Sequence, residues 1–315
     1  MLRGEHKYQL PPNLSDQDTI GIVAPASAGE KSKVEAGIEY LKKQGFKVKK
    51  APNLTNRLKY LAANDAKRIQ YLVDFLRDDE ISALFCLRGG YGTMRLLDKL
   101  DFAGLSKLGP KIIMGYSDIT ALQFSFLKKL NWITFSGPMV ASDMDDNLTS
   151  YTGQWMWKVL KKSSGSLILK NPKDKKMKVY RSGKTQGVLL PGCLSIITTI
   201  MRTEYCPSFE NCILVLEDIG ETGYKLDRLL TTLKLHGVFD QIAGLILGSF
   251  QSTDDELSQN SFPLFDLLDD IIGNYEFPVI TNFAYGHISN KLTLPVGIRA
   301  SLNTDPLNIK IFYSE

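Results

Sequence analysis

The sequence is short of several things, and each shortage removes a class of function. It has four cysteines in 315 residues, Cys86, Cys193, Cys206 and Cys212, and no pair has the C-x-x-C spacing of a zinc or redox site. Cys86 and Cys212 lie inside apolar runs, as reduced, buried thiols do in cytosolic proteins. No apolar run approaches the 18 or so residues of a membrane span. The opening stretch, MLRGEHKYQLPPNLSD, has no apolar core of signal-peptide length. A soluble, cytoplasmic protein with no membrane partner is the expectation. Charge of one sign is also scarce: 38 basic against 34 acidic residues leave a spread-out excess of +4, and no nucleic-acid partner is expected. Only NPKDKKMKVYR, Asn171 to Arg181, is locally basic, and it reads as a solvated surface loop. There is no internal repeat and no low-complexity segment. Histidine is scarce as well, with three in the chain: His6, His236 and His287.

What is present is ordinary globular material, 43% hydrophobic and 23% charged, enough for one large domain or two of usual size. The first half alternates short apolar strands (TIGIV, ISALFCL, KIIMGY) with segments of helical period such as DAKRIQYLVDFLRDD. ISALFCL is apolar throughout, as a strand buried on both faces must be. This rhythm predicts an α/β fold, a parallel sheet with helices on both sides. It weakens across residues 166–186, rich in Lys, Ser and Gly, which reads as a linker between domains 1–165 and 187–315. The second half resumes with strand and helix patterns and ends in short strands separated by turns.

In parallel α/β sheets ligands bind beyond the carboxyl ends of the strands, so those ends hold the candidate chemistry. One carries Ser117, in IIMGYSDITALQF. A serine between strand and helix is a good N-cap, because its hydroxyl satisfies free amides of the first turn. It is equally placed to be a nucleophile at the positive end of a helix, with a neighbouring amide to stabilise an oxyanion. The segment is like a nucleophile elbow but is not G-x-S-x-G, since Ile119 stands where the second glycine belongs. A second end carries LRGGYG, Leu87 to Gly92. Its glycines let backbone amides approach an anion, and Arg88 has the fork geometry to hold a carboxylate; a tight turn with a surface arginine is the plainer alternative. A third carries LVLEDIGETGY, where Glu217 lies closest to the buried strand and needs a partner. A serine nucleophile requires a base, usually histidine. His6 is in the N-terminal stretch and His236 precedes Gly237 at a helix end, whereas His287, in FAYGHISNK, follows an apolar strand. Ser117, Glu217 and His287 thus form a candidate triad drawn from both predicted domains.

GIVAPAS, LRGGYGTMRLLDKLD, IIMGYSDITAL, SGPM, LEDIGETGYKLDRLLTTL and FAYGHISNKLTLPVG occur in this order. From about Asp18 to Arg299 the sequence resembles the LD-carboxypeptidase family of serine peptidases, muramoyltetrapeptide carboxypeptidases, which also includes the microcin C immunity peptidases. The resemblance implies a flavodoxin-like N-terminal domain, a smaller β-rich α/β C-terminal domain, a site at their junction and a homodimer. It implies Ser117 as nucleophile, His287 as general base and Glu217 as its orienter. It further implies an oxyanion hole from the amides of Asp118 and of a glycine in the RGGYG turn, for which Gly90 is our choice; a terminal carboxylate wants a cation, for which we take Arg88, with Gly89 and Tyr91 of the same turn toward substrate. No metal or organic cofactor is implied. The partner implied is a small muropeptide, from which a terminal D-alanine is released. Where the family usually has G-G-N-L, this chain has Pro191-Gly192-Cys193-Leu194, which bears on substrate details near that loop. Two other readings stand beside this one. An immunity-type peptidase would hold a nucleobase on an aromatic side chain, for which Trp155 and Trp157 are the candidates. A non-catalytic binder would use the glycine turn alone.

Overall fold

A computed structural model describes residues 8–145, 148–251 and 264–313. The first unit runs β1 (Thr19–Val23), α1 (Lys31–Lys43), β2 (Lys47–Lys50), α2 (Asp65–Arg77), β3 (Ala83–Cys86), a 3-10 turn at Thr93–Leu96, α3 (Phe102–Leu105), β4 (Ile112–Gly115), α4 (Ile119–Leu130), β5 (Thr134–Ser136), α5 (Val140–Asp143) and α6 (Ser150–Leu160). The strands pair in parallel in the order β2-β1-β3-β4-β5, the flavodoxin-like arrangement. β3 and β4 are buried at every residue, as strands covered by helices on both faces are. Local signals fix the helix ends. Asn64 caps α2 by accepting from Lys67 N, and Gly45, at φ +94°, turns the chain out of α1.

The second unit contains β6 (Ser166–Leu169), β7 (Lys178–Arg181), β8 (Lys184–Cys193), α7 (Leu194–Ile200), β9 (Cys212–Ile219), α8 (Gly223–Leu235), β10 (Gly244–Gln251), α9 (Leu264–Ile272), β11 (Val279–Thr281), β12 (Leu294–Val296), β13 (Arg299–Thr304) and β14 (Leu307–Phe312). Eight strands form a mixed sheet in the order β6-β14-β13-β8-β9-β10-β11-β7. Its centre, β8 to β11, is parallel, and the flanking strands are antiparallel.

Two features differ from the sequence expectation. Residues 166–186, read as a linker, supply β6, β7 and the start of β8. The basic run within them is stapled down: Asn171 Nδ2 donates to Asn282 O at 2.7 Å, and Asn171 Oδ1 accepts from Ala284 N at 2.9 Å. Both strands pair with chain more than 90 residues away, so no local period announces them. β12, from the second half, crosses back to pair antiparallel with β5 and closes the first sheet as its sixth strand.

α4 packs on β4, β5 and β12 of the first sheet and against α7 of the second unit. Every residue from Ile119 to Leu127 is buried. Ile119, Leu122 and Phe126 belong to one apolar core, and Ala121, Phe124 and Leu127 to the other. A helix apolar all round is a helix buried all round, and each such large side chain contributes about 1.5–3 kcal/mol of burial. The two N–H groups of the buried Gln123 Nε2 donate to Gly115 O at 2.9 Å and Phe135 O at 2.7 Å.

Candidate active site

The N-terminal end of α4 carries Ser117. Its φ is +62°, a left-handed conformation that a non-glycine residue holds only when its surroundings impose it. This is the strained strand-to-helix turn of a nucleophile elbow, reached without the second glycine of the usual motif. Space beside the serine comes from elsewhere. A Cβ on Gly89 would lie 3.0 Å from Ser117 Cβ and 3.1 Å from its Oγ. A Cβ on Gly115 would lie 3.0 Å from Cys86 Cβ. Ser117 does not cap α4: the N-cap position is Asp118, and Ser117 Oγ makes no hydrogen bond among the described residues.

Asp118 is 1% exposed and is tied inward. Its Oδ2 accepts from Thr93 N at 2.9 Å, and its carbonyl accepts from Thr93 Oγ1 at 2.5 Å. Burial pushes its carboxyl up, against hydrogen bonds from Thr93 that pull it down. The side chain is thus spent on structure, while the backbone amide of Asp118 lies 3.4 Å from where a Cβ on Gly89 would sit. The glycine turn is held from below by Arg68, 1% exposed, which donates to the carbonyls of Pro25 and, at 2.9 Å, Gly92, and to Asp65 Oδ1 at 2.6 Å. Hydrogen bonds from Arg95 first, then Lys99 and Arg68, hold the Asp65 carboxyl well below its ordinary range. Gly90, at φ +103°, faces Ser27, whose Oγ is where a side chain would have to go. Ser27 Oγ donates to Tyr60 O at 2.6 Å and accepts from Tyr91 N at 3.4 Å.

The third and fourth strand ends meet on one carboxylate. Glu217, fully buried on β9, accepts at Oε2 from His287 Nδ1 at 2.7 Å and from His287 N at 3.2 Å. Its Oε1 has no partner among the described residues. Burial raises the Glu217 carboxyl, and the hydrogen bond from His287 opposes the rise. Gly286, at φ +115°, is required there: a Cβ would meet Glu217 Oε2 at 2.7 Å. With Nδ1–H given to the carboxylate, Nε2 is the lone-pair nitrogen of a neutral His287. The His287 ring meets the Ser117 segment through Tyr116, edge-on with centroids 4.8 Å apart. No hydrogen bond joins His287 to Ser117 itself among the described residues. Such bonds are commonly long in free enzymes and tighten around substrate.

Of the remaining candidates, Arg88 makes no ion pair among the described residues, and its Nε is buried without a partner. Tyr91 is 41% exposed and packs edge-on against Tyr60, 57% exposed. Trp157 stacks on Phe46 and Phe85 and donates to Tyr40 Oη at 3.1 Å, while Trp155 is 9% exposed against Tyr151. Both tryptophans are packing residues of α6, so neither supplies the aromatic platform of the nucleobase alternative. Cys193 pairs with Glu217 in the sheet register, and its buried thiol donates to Asp218 Oδ1 at 3.4 Å. Burial, then Glu217 and Asp218, push that thiol well up, so it stays protonated. His236 ends α8 with its ring on Thr232 O, and His6 lies outside the described residues. Among the described residues no group of three or more His, Cys, Asp or Glu side chains is arranged to hold a metal, and no helix is long and apolar enough to cross a membrane. The sequence reading missed Ser27, Arg68, Tyr116 and Gly286. Of these, Gly286 had a signal, a glycine directly before the candidate histidine.

A strained serine beside a glycine turn, with a carboxylate-held histidine from the loop after a strand of the second sheet, fits the residue set of a serine hydrolase on a two-sheet α/β fold. Comparison with known proteins makes the class specific. The model of the LD-carboxypeptidase N-terminal domain matches residues 20–137, and that of the C-terminal domain matches residues 186–302. The chain belongs to the LD-carboxypeptidase family and is a serine-type carboxypeptidase, a hydrolase. It is 32% identical to a probable murein peptide carboxypeptidase of Bacillus subtilis, over 93% of this chain and 91% of that one. It is 30% identical to the microcin C7 self-immunity protein MccF of Escherichia coli, over 99% and 97%. The crystal structure of muramoyltetrapeptide carboxypeptidase from Oxalobacter formigenes superimposes with a TM-score of 0.81 at 30% identity, covering 94% of this chain and 99% of that one.

Proposed function

We propose that the protein releases terminal D-alanine from the L,D-bond of muropeptide tetrapeptides, in the cytoplasm, as a step of peptidoglycan recycling. The observation that carries this reading is the 2.7 Å bond from His287 Nδ1 to a fully buried Glu217, with the same ring edge-on to Tyr116, the residue before Ser117. Kinship with carboxypeptidases of murein peptides supplies the substrate class. Homodimeric assembly belongs to the same proposal and rests on that kinship.

In this mechanism His287 Nε2 takes the proton from Ser117 Oγ as the oxygen attacks the carbonyl carbon of the scissile amide. Glu217 stabilises the imidazolium and keeps Nε2 aimed at the serine. The oxyanion forms against the amides of Asp118 and Gly90, at the positive end of α4. His287 then protonates the departing amine, D-alanine leaves, and water activated by the same histidine releases the acyl group. Arg88 holds the terminal carboxylate bidentately, which a carboxypeptidase needs and an internal peptidase does not.

The test is incubation of the protein and its Ser117→Ala variant with a tetrapeptide ending in D-alanine, with free D-alanine read by mass spectrometry. Release by the wild type alone supports the reading. No release, with cleavage of an aminoacyl nucleotide instead, would transfer the protein to the chemistry of MccF.

A further inference from the structure

Lys291 is 4% exposed, a place where a lysine is found only when paired. Its Nζ is 2.5 Å from Asp143 Oδ1 and 2.9 Å from Tyr116 Oη, and lies over the Tyr116 ring, 4.2 Å from the centroid. Asp143 turns its other oxygen to Met139 N at 2.9 Å. Tyr116 is 6% exposed, directly precedes Ser117, and presents its ring to His287. The three residues come from three places: the loop between β11 and β12, the end of α5, and the turn after β4.

Lys291 is not needed to anchor the His287 loop. That loop is already pinned to the first unit by Tyr285 Oη on Ser136 Oγ at 2.7 Å, by Thr152 Oγ1 on Ser289 O at 2.6 Å, and by Lys291 N on Thr152 Oγ1 at 2.9 Å. None of these uses the ammonium. A buried ion pair is also a poor source of stability, since an apolar side chain of equal volume often does as well. What the ammonium alone touches is Asp143 and Tyr116. Tyr116 in turn presents its ring to His287 and is bonded to Ser117.

We propose that Lys291 is a positioning residue of the reaction: its ammonium, steadied by Asp143, fixes the Tyr116 ring and thereby sets His287 relative to Ser117. The inference rests on the reading of Ser117 and His287 as nucleophile and base. It assigns the buried pair to the alignment of these two groups, which reach the site from different sheets. Misplacing a base by about 1 Å costs up to roughly 100-fold in rate.

Lys291→Met removes the charge and keeps the stem, but leaves Asp143 buried and unpaired. Lys291→Met/Asp143→Asn removes both charges and keeps an acceptor for Met139 N. Both variants, with wild type and His287→Ala, are assayed for kcat and KM on the tetrapeptide and for the rate and final extent of Ser117 labelling by a fluorophosphonate. The expected result for the double variant is a kcat lower by roughly 10- to 100-fold, KM within threefold, a labelling rate lowered in parallel, and full final labelling. Wild-type kcat and labelling rate in the double variant overturn the proposal. So does reduced final labelling at an unchanged rate, because it reports lost folded protein and not lost alignment. If His287→Ala labels as fast as wild type, the base assignment itself fails, and the Lys291 role falls with it for that separate reason.

Discussion

Gly89→Ala separates catalysis from folding more cleanly than any other single change at this site. The φ of Gly89 lies outside the left-handed region, so alanine adopts the native backbone without strain. Its new Cβ would sit 3.0 Å from Ser117 Cβ, 3.1 Å from Ser117 Oγ and 3.4 Å from Asp118 N. These contacts are tight, and relief takes a few tenths of an ångström. Against that small cost, alanine reduces the freedom of the unfolded chain by about 0.4–1 kcal/mol. The two nearly cancel, and Tm is expected to move by no more than about 3 °C. Catalysis has no such compensation. An oxyanion must come within about 2.7–3.1 Å of each donor. A methyl group 3.4 Å from the Asp118 amide occupies the approach to it. Loss of one such donor costs about 10²- to 10³-fold in kcat, or about 2.7–4 kcal/mol.

The assay is D-alanine release under saturating tetrapeptide, beside a thermal melt of the same preparation. A folded Gly89→Ala protein with kcat within threefold of wild type would refute the reasoning, and the oxyanion would have to form away from the Asp118 amide. Gly90→Ala is a poor substitute for this experiment. At φ +103°, with Ser27 Oγ 2.3 Å from the new Cβ, it would disturb the backbone and the turn together.

Two further outcomes are expected. Arg88→Ala should lower kcat/KM for a tetrapeptide with a free terminal carboxylate by about 10- to 150-fold, from about 1.5–3 kcal/mol of charge-assisted hydrogen bonding, and leave a terminally amidated analogue nearly unchanged; equal losses on both would remove the carboxylate role. Glu217→Gln should lower kcat on the order of 10³- to 10⁴-fold, by analogy with triad carboxylates. It should also change how stability depends on pH. Burial raises the Glu217 carboxyl above its ordinary 4.5, so the folded chain holds that proton more tightly than the unfolded one. The stability this contributes is full below 4.5 and is lost as pH rises through the raised folded value. Urea midpoints of wild type minus Glu217→Gln should therefore fall as pH rises above 4.5, and a flat difference would contradict the assignment.

The parts of this architecture that repeat locally were legible in the sequence. The alternation of apolar strands and helical periods implied the parallel sheet, and the strand ends pointed to Ser117, Glu217 and His287. Parts made by distant chain were not. β6 and β7 look like linker because they are edge strands whose partners lie far along the chain. The elbow at Ser117 breaks the usual motif because the close neighbour it needs to be small is Gly89, from the adjacent strand end, and not residue 119. Trp155 and Trp157 are as close in sequence as a binding pair, yet the α6 period turns both into the packing of the first unit. Lys291 looks like one more surface lysine until Asp143 and Tyr116 are brought to it.

The placement of α4 explains how a site built from two sheets stays in register. Ser117 precedes a helix whose residues are divided between the two apolar cores. Glu217 is fixed by β9, at the centre of the second sheet, and the His287 loop leads into β12, which is a strand of the first. The chain thus passes from second sheet to first within nine residues of the histidine, and each crossing is buried. The geometry between Ser117 and His287 is then set by buried elements of both units.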